Sequence, residues 1–125
     1  MKSGFSFLEV VITLVIILAL LVMGFAALKD IIEKSRVSEA RFVLGQLRNA
    51  QAARSMFTGE CAQSVNELDV IAPDKCAPTH YFRYYLSSDC QRGVAERCVR
   101  GGREPQSKVP YTVSLDFRTG VFKSR

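Results

Sequence analysis

The sequence predicts an α+β fold: one long amino-terminal α-helix, apolar then amphipathic, packed against a small antiparallel β-sheet. Three observations predict it. Between Phe5 and Leu28 every residue except Ser6, Glu9, Thr13 and Gly24 is apolar. From Lys29 to Phe57 no proline interrupts a pattern of helical period. Beyond Thr79, short aromatic and β-branched runs alternate with turn-forming residues. The chain of 125 residues is 48% hydrophobic, but that average conceals two compositions. The apolar stretch is long enough, at ~1.5 Å per residue, to cross a hydrocarbon core of roughly 30 Å. The remainder has ordinary soluble composition and length for one small core. This division argues against a fully soluble, two-domain or multi-pass protein.

In the amphipathic half, Ala40, Val43, Leu47, Ala50 and Phe57 recur on one side of the helix. Arg36, Glu39, Arg41, Arg48 and Arg54 fall mostly on other faces. Thr58-Gly59 supplies a stop, with glycine available for a left-handed cap. A continuous helix from Phe5 to Phe57 would run roughly 80 Å, so its first half needs lipid or partner helices and its second a covering domain. Residues 58–79 read as a loop with a short helical piece near Ser64 to Leu68. Ser64 can cap that piece, and Glu67 stands three residues later as in a capping box. His80 to Ser87, with Tyr81, Phe82, Tyr84 and Tyr85, reads as a strand, and Val94 to Arg100 as a weaker one. Tyr111, Val113, Leu115 and Phe117 alternate with polar residues, which is a strand with one buried face. Thr119-Gly120 turns the chain, and Val121 to Lys123 returns it. The sheet region is 80–125.

At the amino terminus three readings compete: a cleaved secretory signal with Gly24-Phe25-Ala26 as its processing site, a permanent membrane anchor, or a segment processed at its near end and packed into an assembly. Glu9 discriminates among them. A carboxylate inside an apolar span is costly, about 2.5–3.5 kcal/mol for Asp at a helix centre and less near an end, and such residues mark function by default. Cleavage between Gly4 and Phe5 would create an α-amino group four residues from Glu9, a natural counter-charge.

The run Gly4-Phe5-Ser6-Phe7-Leu8-Glu9, followed by Val10-Val11-Ile12-Thr13-Leu14, resembles the class III signal of type IV pilins and type II secretion pseudopilins. The resemblance implies a pilin-like fold and a leader peptide 1–4. It also implies a transmembrane or filament-core helix 5–28 and a globular domain 29–125. A prepilin peptidase would cut after Gly4 and methylate the Phe5 amine, and Glu9 would neutralise that amine on a neighbouring subunit. The implied partners are other pilins in a homo- or hetero-oligomeric filament, the inner-membrane assembly platform, and the lipid bilayer before assembly. The implied location is the inner membrane, single-pass with the carboxyl-terminal domain in the periplasm, and then a filament. One departure is the absence of a proline in the apolar helix; the first is Pro73. That leaves Gly24 and the β-branched run as the weak points for local melting.

Four cysteines, Cys61, Cys76, Cys90 and Cys98, lack the CxxC spacing of zinc or thioredoxin-like sites. An even count in a small domain behind a membrane segment reads as two disulfides. Three pairings exist, and Cys61–Cys76 with Cys90–Cys98 is favoured because each closes a local loop.

Seventeen Lys and Arg against 12 Asp and Glu give a net charge of +5. Much of the excess comes from Arg92, Arg97, Arg100, Arg103, Lys108, Arg118, Lys123 and Arg125. These read as a solvated basic surface, with nucleic-acid binding the sharper alternative. No catalytic constellation is expected: His80 is the only histidine and sits beside a run of aromatics. Glu104 and Asp116 are the only acids after Glu96, too few for a calcium site, and no cofactor or metal is expected. Besides a filament subunit, the competing functions are a DNA-capturing minor pilin and a monomeric anchored domain.

Overall fold

A computed structural model describes Gly4 and residues 6–125. Met1, Lys2, Ser3 and Phe5 lie outside the described residues. The chain divides into two compact units, Met1–Ser35 and Arg36–Arg125. One long amino-terminal helix and a four-stranded antiparallel sheet make the α+β arrangement that the sequence predicts.

Helix α1 spans Phe7–Thr58. Ser6 caps its start: the Glu9 amide donates to Ser6 Oγ at 3.2 Å, and the Val10 amide to Ser6 O at 3.1 Å. In the first unit every described residue except Glu33 is exposed. The helix runs unbroken through Gly24. At the other end, Gly59 takes φ +74°, and its amide donates to Ser55 O at 2.9 Å. This is the left-handed stop that Thr58-Gly59 predicts.

The second unit builds its core on helix residues Ala40, Val43, Leu44, Leu47 and Gln51, all buried. Ala50 packs partly against this core. Phe57 departs from the expected apolar face and is 90% exposed. The buried stripe advances from Leu47 to Gln51, one residue beyond Ala50, and that shift turns Phe57 outward. Gln51 ends the stripe because its amide serves backbone: Oε1 accepts from the Ala62 amide at 2.8 Å and Nε2 donates to Ala62 O at 2.9 Å.

The strands are β1 (Phe82–Leu86), β2 (Arg92–Arg97), β3 (Thr112–Asp116) and β4 (Phe122–Ser124). They form an antiparallel meander in the order β1-β2-β3-β4. Phe82 and Tyr84, Gly93 and Ala95, and Val113 and Leu115 make the inner face. The strand starting at Val94 in the sequence reading begins at Arg92 instead. Gly93 has to be small, since a Cβ there would stand 2.9 Å from the Phe117 ring and 3.1 Å from Leu44. At the β3–β4 turn Gly120 takes φ +72°.

The loop before the sheet contains a single 3₁₀ turn, Val65–Glu67, capped by Ser64 Oγ on the Asn66 amide at 3.3 Å. The reciprocal half of the capping box is displaced. Glu67 Oε2 accepts from the Gln63 amide at 2.9 Å rather than from the cap residue. The loop then covers the free edge of β1, where the Tyr84 amide donates to Pro73 O at 2.8 Å.

Tyr84 is fully buried, and its hydroxyl has no hydrogen-bond partner. Burial, aided by the charge of Glu39, pushes the phenol far above its ordinary value. Removing an unsatisfied buried hydroxyl is neutral or stabilising. Tyr84→Phe is therefore expected to raise the urea midpoint slightly, by about 0–1.5 kcal/mol of stability. A loss of stability would show that the hydroxyl is satisfied in solution.

Candidate functional site

Apolarity marks the amino-terminal helix as the first candidate. It is long and apolar enough to cross a membrane, and none of its most apolar stretch is buried. Leu14, Ile16, Leu18, Leu20 and Phe25 are each at least half exposed. Exposed apolar area on this scale marks a surface to be covered by lipid or by protein.

Glu9 sits in the first turn of this helix and is exposed. An acid in the first turn interacts favourably with the helix dipole. Ser6 and Glu9 also have the S-x-x-E spacing of a capping box, a signal that the sequence reading of this segment did not use. Thr13 Oγ donates to Glu9 O at 2.8 Å, so the hydroxyl in the apolar stretch is satisfied by its own helix. Among the described residues, no hydrogen bond or ion pair engages the Glu9 carboxylate. Gly4 is exposed. The predicted cleavage and methylation at Phe5 fall on a residue outside the described set.

The four cysteines form two disulfides, but not in the favoured pairing. Cys61 joins Cys90, and Cys76 joins Cys98. Local loop closure is overruled by the β1–β2 hairpin. Its strands are antiparallel, so the chain just before β1, at Cys76, lies beside the chain just after β2, at Cys98. Cys90 is in the tight hairpin turn with φ +50°, at the end where the loop begins at Cys61. Each disulfide thus fastens one end of the loop to one end of the hairpin. Ser87 and the Gln91 amide bind the Asp89 carboxylate in that turn and hold it below the usual carboxylate range, the Ser87 hydroxyl foremost.

The basic residues do not act as one surface. Arg97 is 1% exposed and belongs to the core, which corrects its assignment to a solvated patch. Its guanidinium donates to Tyr81 O at 3.1 Å, Cys98 O at 3.3 Å and Pro105 O at 2.9 Å. Arg83 pairs with Glu96 at 2.7 Å, and this hydrogen bond raises its already high pKa. Arg92, Lys123 and Arg125 are brought together on the solvent face of the sheet around Ser114 and Thr112.

His80 Nδ1 shares a hydrogen bond with Thr79 Oγ1 at 2.8 Å, and its carbonyl accepts from the Arg103 amide. Glu104 accepts from Gln106. Asp116 accepts from the Arg118 amide at 2.9 Å, which is the main cause of its lowered pKa. Among the described residues, no group of three or more His, Cys, Asp or Glu could hold a metal.

No family model, curated protein or solved structure matches this chain.

Proposed function

We propose that this chain is a structural subunit of a type IV pilus or related pseudopilus. In this reading a prepilin peptidase cuts after Gly4 and methylates the Phe5 amine. The helix resides in the inner membrane, with the second unit in the periplasm, until the subunit enters a filament. The observation that carries the reading is Glu9: the one charged side chain between Phe5 and Leu28, held in the first turn of an otherwise apolar, exposed helix. A plain anchor gains nothing from it, and in hydrocarbon it is a cost. A filament of helices gains a register, because the carboxylate offers one fixed partner for the new amine of a neighbouring subunit. Hydrophobic packing of the exposed Leu, Ile and Val side chains would supply most of the cohesion.

Intact mass of the chain purified from its membrane tests the processing. A mass beginning at methylated Phe5 is expected; a start near Ala27 would replace the reading with an ordinary secretory signal. Glu9→Ala is expected to leave cleavage intact and lower incorporation into filaments at least about tenfold, a deficit of ~1.4 kcal/mol. Filaments at normal yield from that variant would remove the pairing role.

A further inference from the structure

Two stretches of the second unit each gather exposed charge of one sign. Between residues 60 and 74 the chain carries Glu60, Glu67, Asp69 and Asp74 and no basic residue. All four acids are exposed. The opposite sign gathers on the solvent face of the sheet. There Arg92 and Lys123 border two adjoining depressions that share Ser114, and Arg125 extends the second. The acids on this face are already engaged, Glu96 by Arg83 and Asp116 by the amides of its own turn.

The fold places the far ends of the two patches on opposite edges of the sheet. The acidic segment ends against the free edge of β1, through Pro73 O and the Tyr84 amide. Lys123 lies in β4, and Arg125 continues that strand by exchanging backbone hydrogen bonds with Thr112 at 2.8 and 2.9 Å. In the order β1-β2-β3-β4 these are opposite edges. Three strand spacings separate them by about 14 Å, well beyond the ~4 Å of an ion pair. Asp74, next to Pro73 at the β1 edge, therefore does not neutralise Lys123 or Arg125 at the β4 edge within one copy; Glu60 and Arg92 lie nearer each other, beside the Cys61–Cys90 disulfide.

We propose that the acidic 60–74 segment of one copy docks on the basic sheet face of the next copy, head to tail. This rests on the filament reading and names a contact between its subunits. The chain itself supplies both complementary surfaces, and placing them at opposite edges makes the contact heterologous, so that it propagates instead of closing. Each surface also carries an apolar element to bury: Ile71, 81% exposed, within the acidic segment, and Val121, 53% exposed, at the rim of the basic depression. A polyanion on the basic face would leave Ile71 and the four acids uncovered.

Zero-length carbodiimide cross-linking tests the contact, using full-length chain in neutral detergent micelles with ¹⁵N-labelled and unlabelled copies mixed. The expected product joins Asp69 or Asp74 of one isotope to Lys123 of the other. It should fade at about 0.5 M salt, where screening acts over only a few ångströms. Asp69→Lys with Asp74→Lys, or Lys123→Glu with Arg125→Glu, should each lower the yield about tenfold or more through like-charge contact. Mixing these two variants should restore a link between the reversed positions, which requires both to be folded.

Absence of the mixed-isotope link, its survival in either variant, or failure to return on mixing would overturn the proposal. So would protection of Lys123 by duplex DNA with no link between copies. Failure here alongside a start at Phe5 and Glu9-dependent filaments removes the contact alone. A start near Ala27 removes the filament reading, whatever the cross-link shows.

Discussion

Reduction of both disulfides is expected to unfold the second unit or bring it to the edge of unfolding. Cys61–Cys90 closes a separation of 29 residues and Cys76–Cys98 one of 22. In the chain-entropy account each loop contributes about 3–4 kcal/mol. The loops interlock, since Cys76 lies between Cys61 and Cys90, so the second closure is made within a chain already constrained by the first. Their joint contribution is then below the sum, roughly 5–7 kcal/mol. A domain of this size has about 5–13 kcal/mol in total. The melting temperature should therefore fall by about 20–55 °C in reductant, read in near-ultraviolet circular dichroism of the full-length chain. A chelator should leave it unchanged. A fall of only a few degrees would show that the core stands without its staples.

The pairing has a direct check. Trypsin places each cysteine in a separate peptide: 55–75, 76–83, 84–92 and 98–100. Unreduced digests should join 55–75 to 84–92 and 76–83 to 98–100. The local pairing would instead join the first two and the last two.

That pairing marks the boundary of what the sequence makes legible. Local patterns survive folding intact: the apolar helix, the Thr58-Gly59 stop, the alternation at Tyr111 to Phe117 and the presence of four strand segments along the chain follow from neighbours a few residues apart. Glu9 is legible for the same reason, as one charge in an apolar run. The disulfides are not, because the strand pairing that brings Cys98 to Cys76 is long-range, and shortest-loop reasoning assumes it away. Gln51 and Arg97 are missed for a different reason. Both are polar residues at positions whose period is correct for the core, Gln51 four residues after Leu47 and Arg97 in phase with Gly93 and Ala95. Reading polarity ahead of period sends them to the surface. The signal that could have found them is the phase, combined with the backbone groups that a polar side chain at a strand or helix end can satisfy. The opposed edges that carry the acidic and basic patches likewise exist only once the sheet order is known.

Replacing Arg97 should loosen the connection between β2 and β3 and destabilise the second unit. The side chain is buried at the end of β2, and its fork reaches carbonyls on three segments: Tyr81 before β1, Cys98 at the disulfide, and Pro105 in the polar connection to β3. It also lies over the rings of Tyr81 and Phe82, at 5.2 and 5.7 Å from their centroids. Arg97 thereby anchors a connection that has few apolar contacts of its own. Arg97→Met keeps much of the packing but leaves the buried Cys98 carbonyl without this donor, at a cost of about 1–3 kcal/mol, whereas Tyr81 O keeps the Cys98 amide and Pro105 is exposed to water. The substitution removes the buried charge together with its hydrogen bonds, so no unpaired charge remains and the expected loss is ~1–3 kcal/mol. Arg97→Lys retains the charge but not the planar fork, and it can serve fewer of the three carbonyls at once. Its loss should fall between wild type and Arg97→Met in urea unfolding. Hydrogen exchange in Arg97→Lys should speed first across residues 98–110, the segment the fork ties down, before it changes in helix α1. A loss below about 1 kcal/mol for Arg97→Met would mean that water serves the carbonyls as well as the guanidinium does, and the connection would then owe its position to the Cys76–Cys98 disulfide alone.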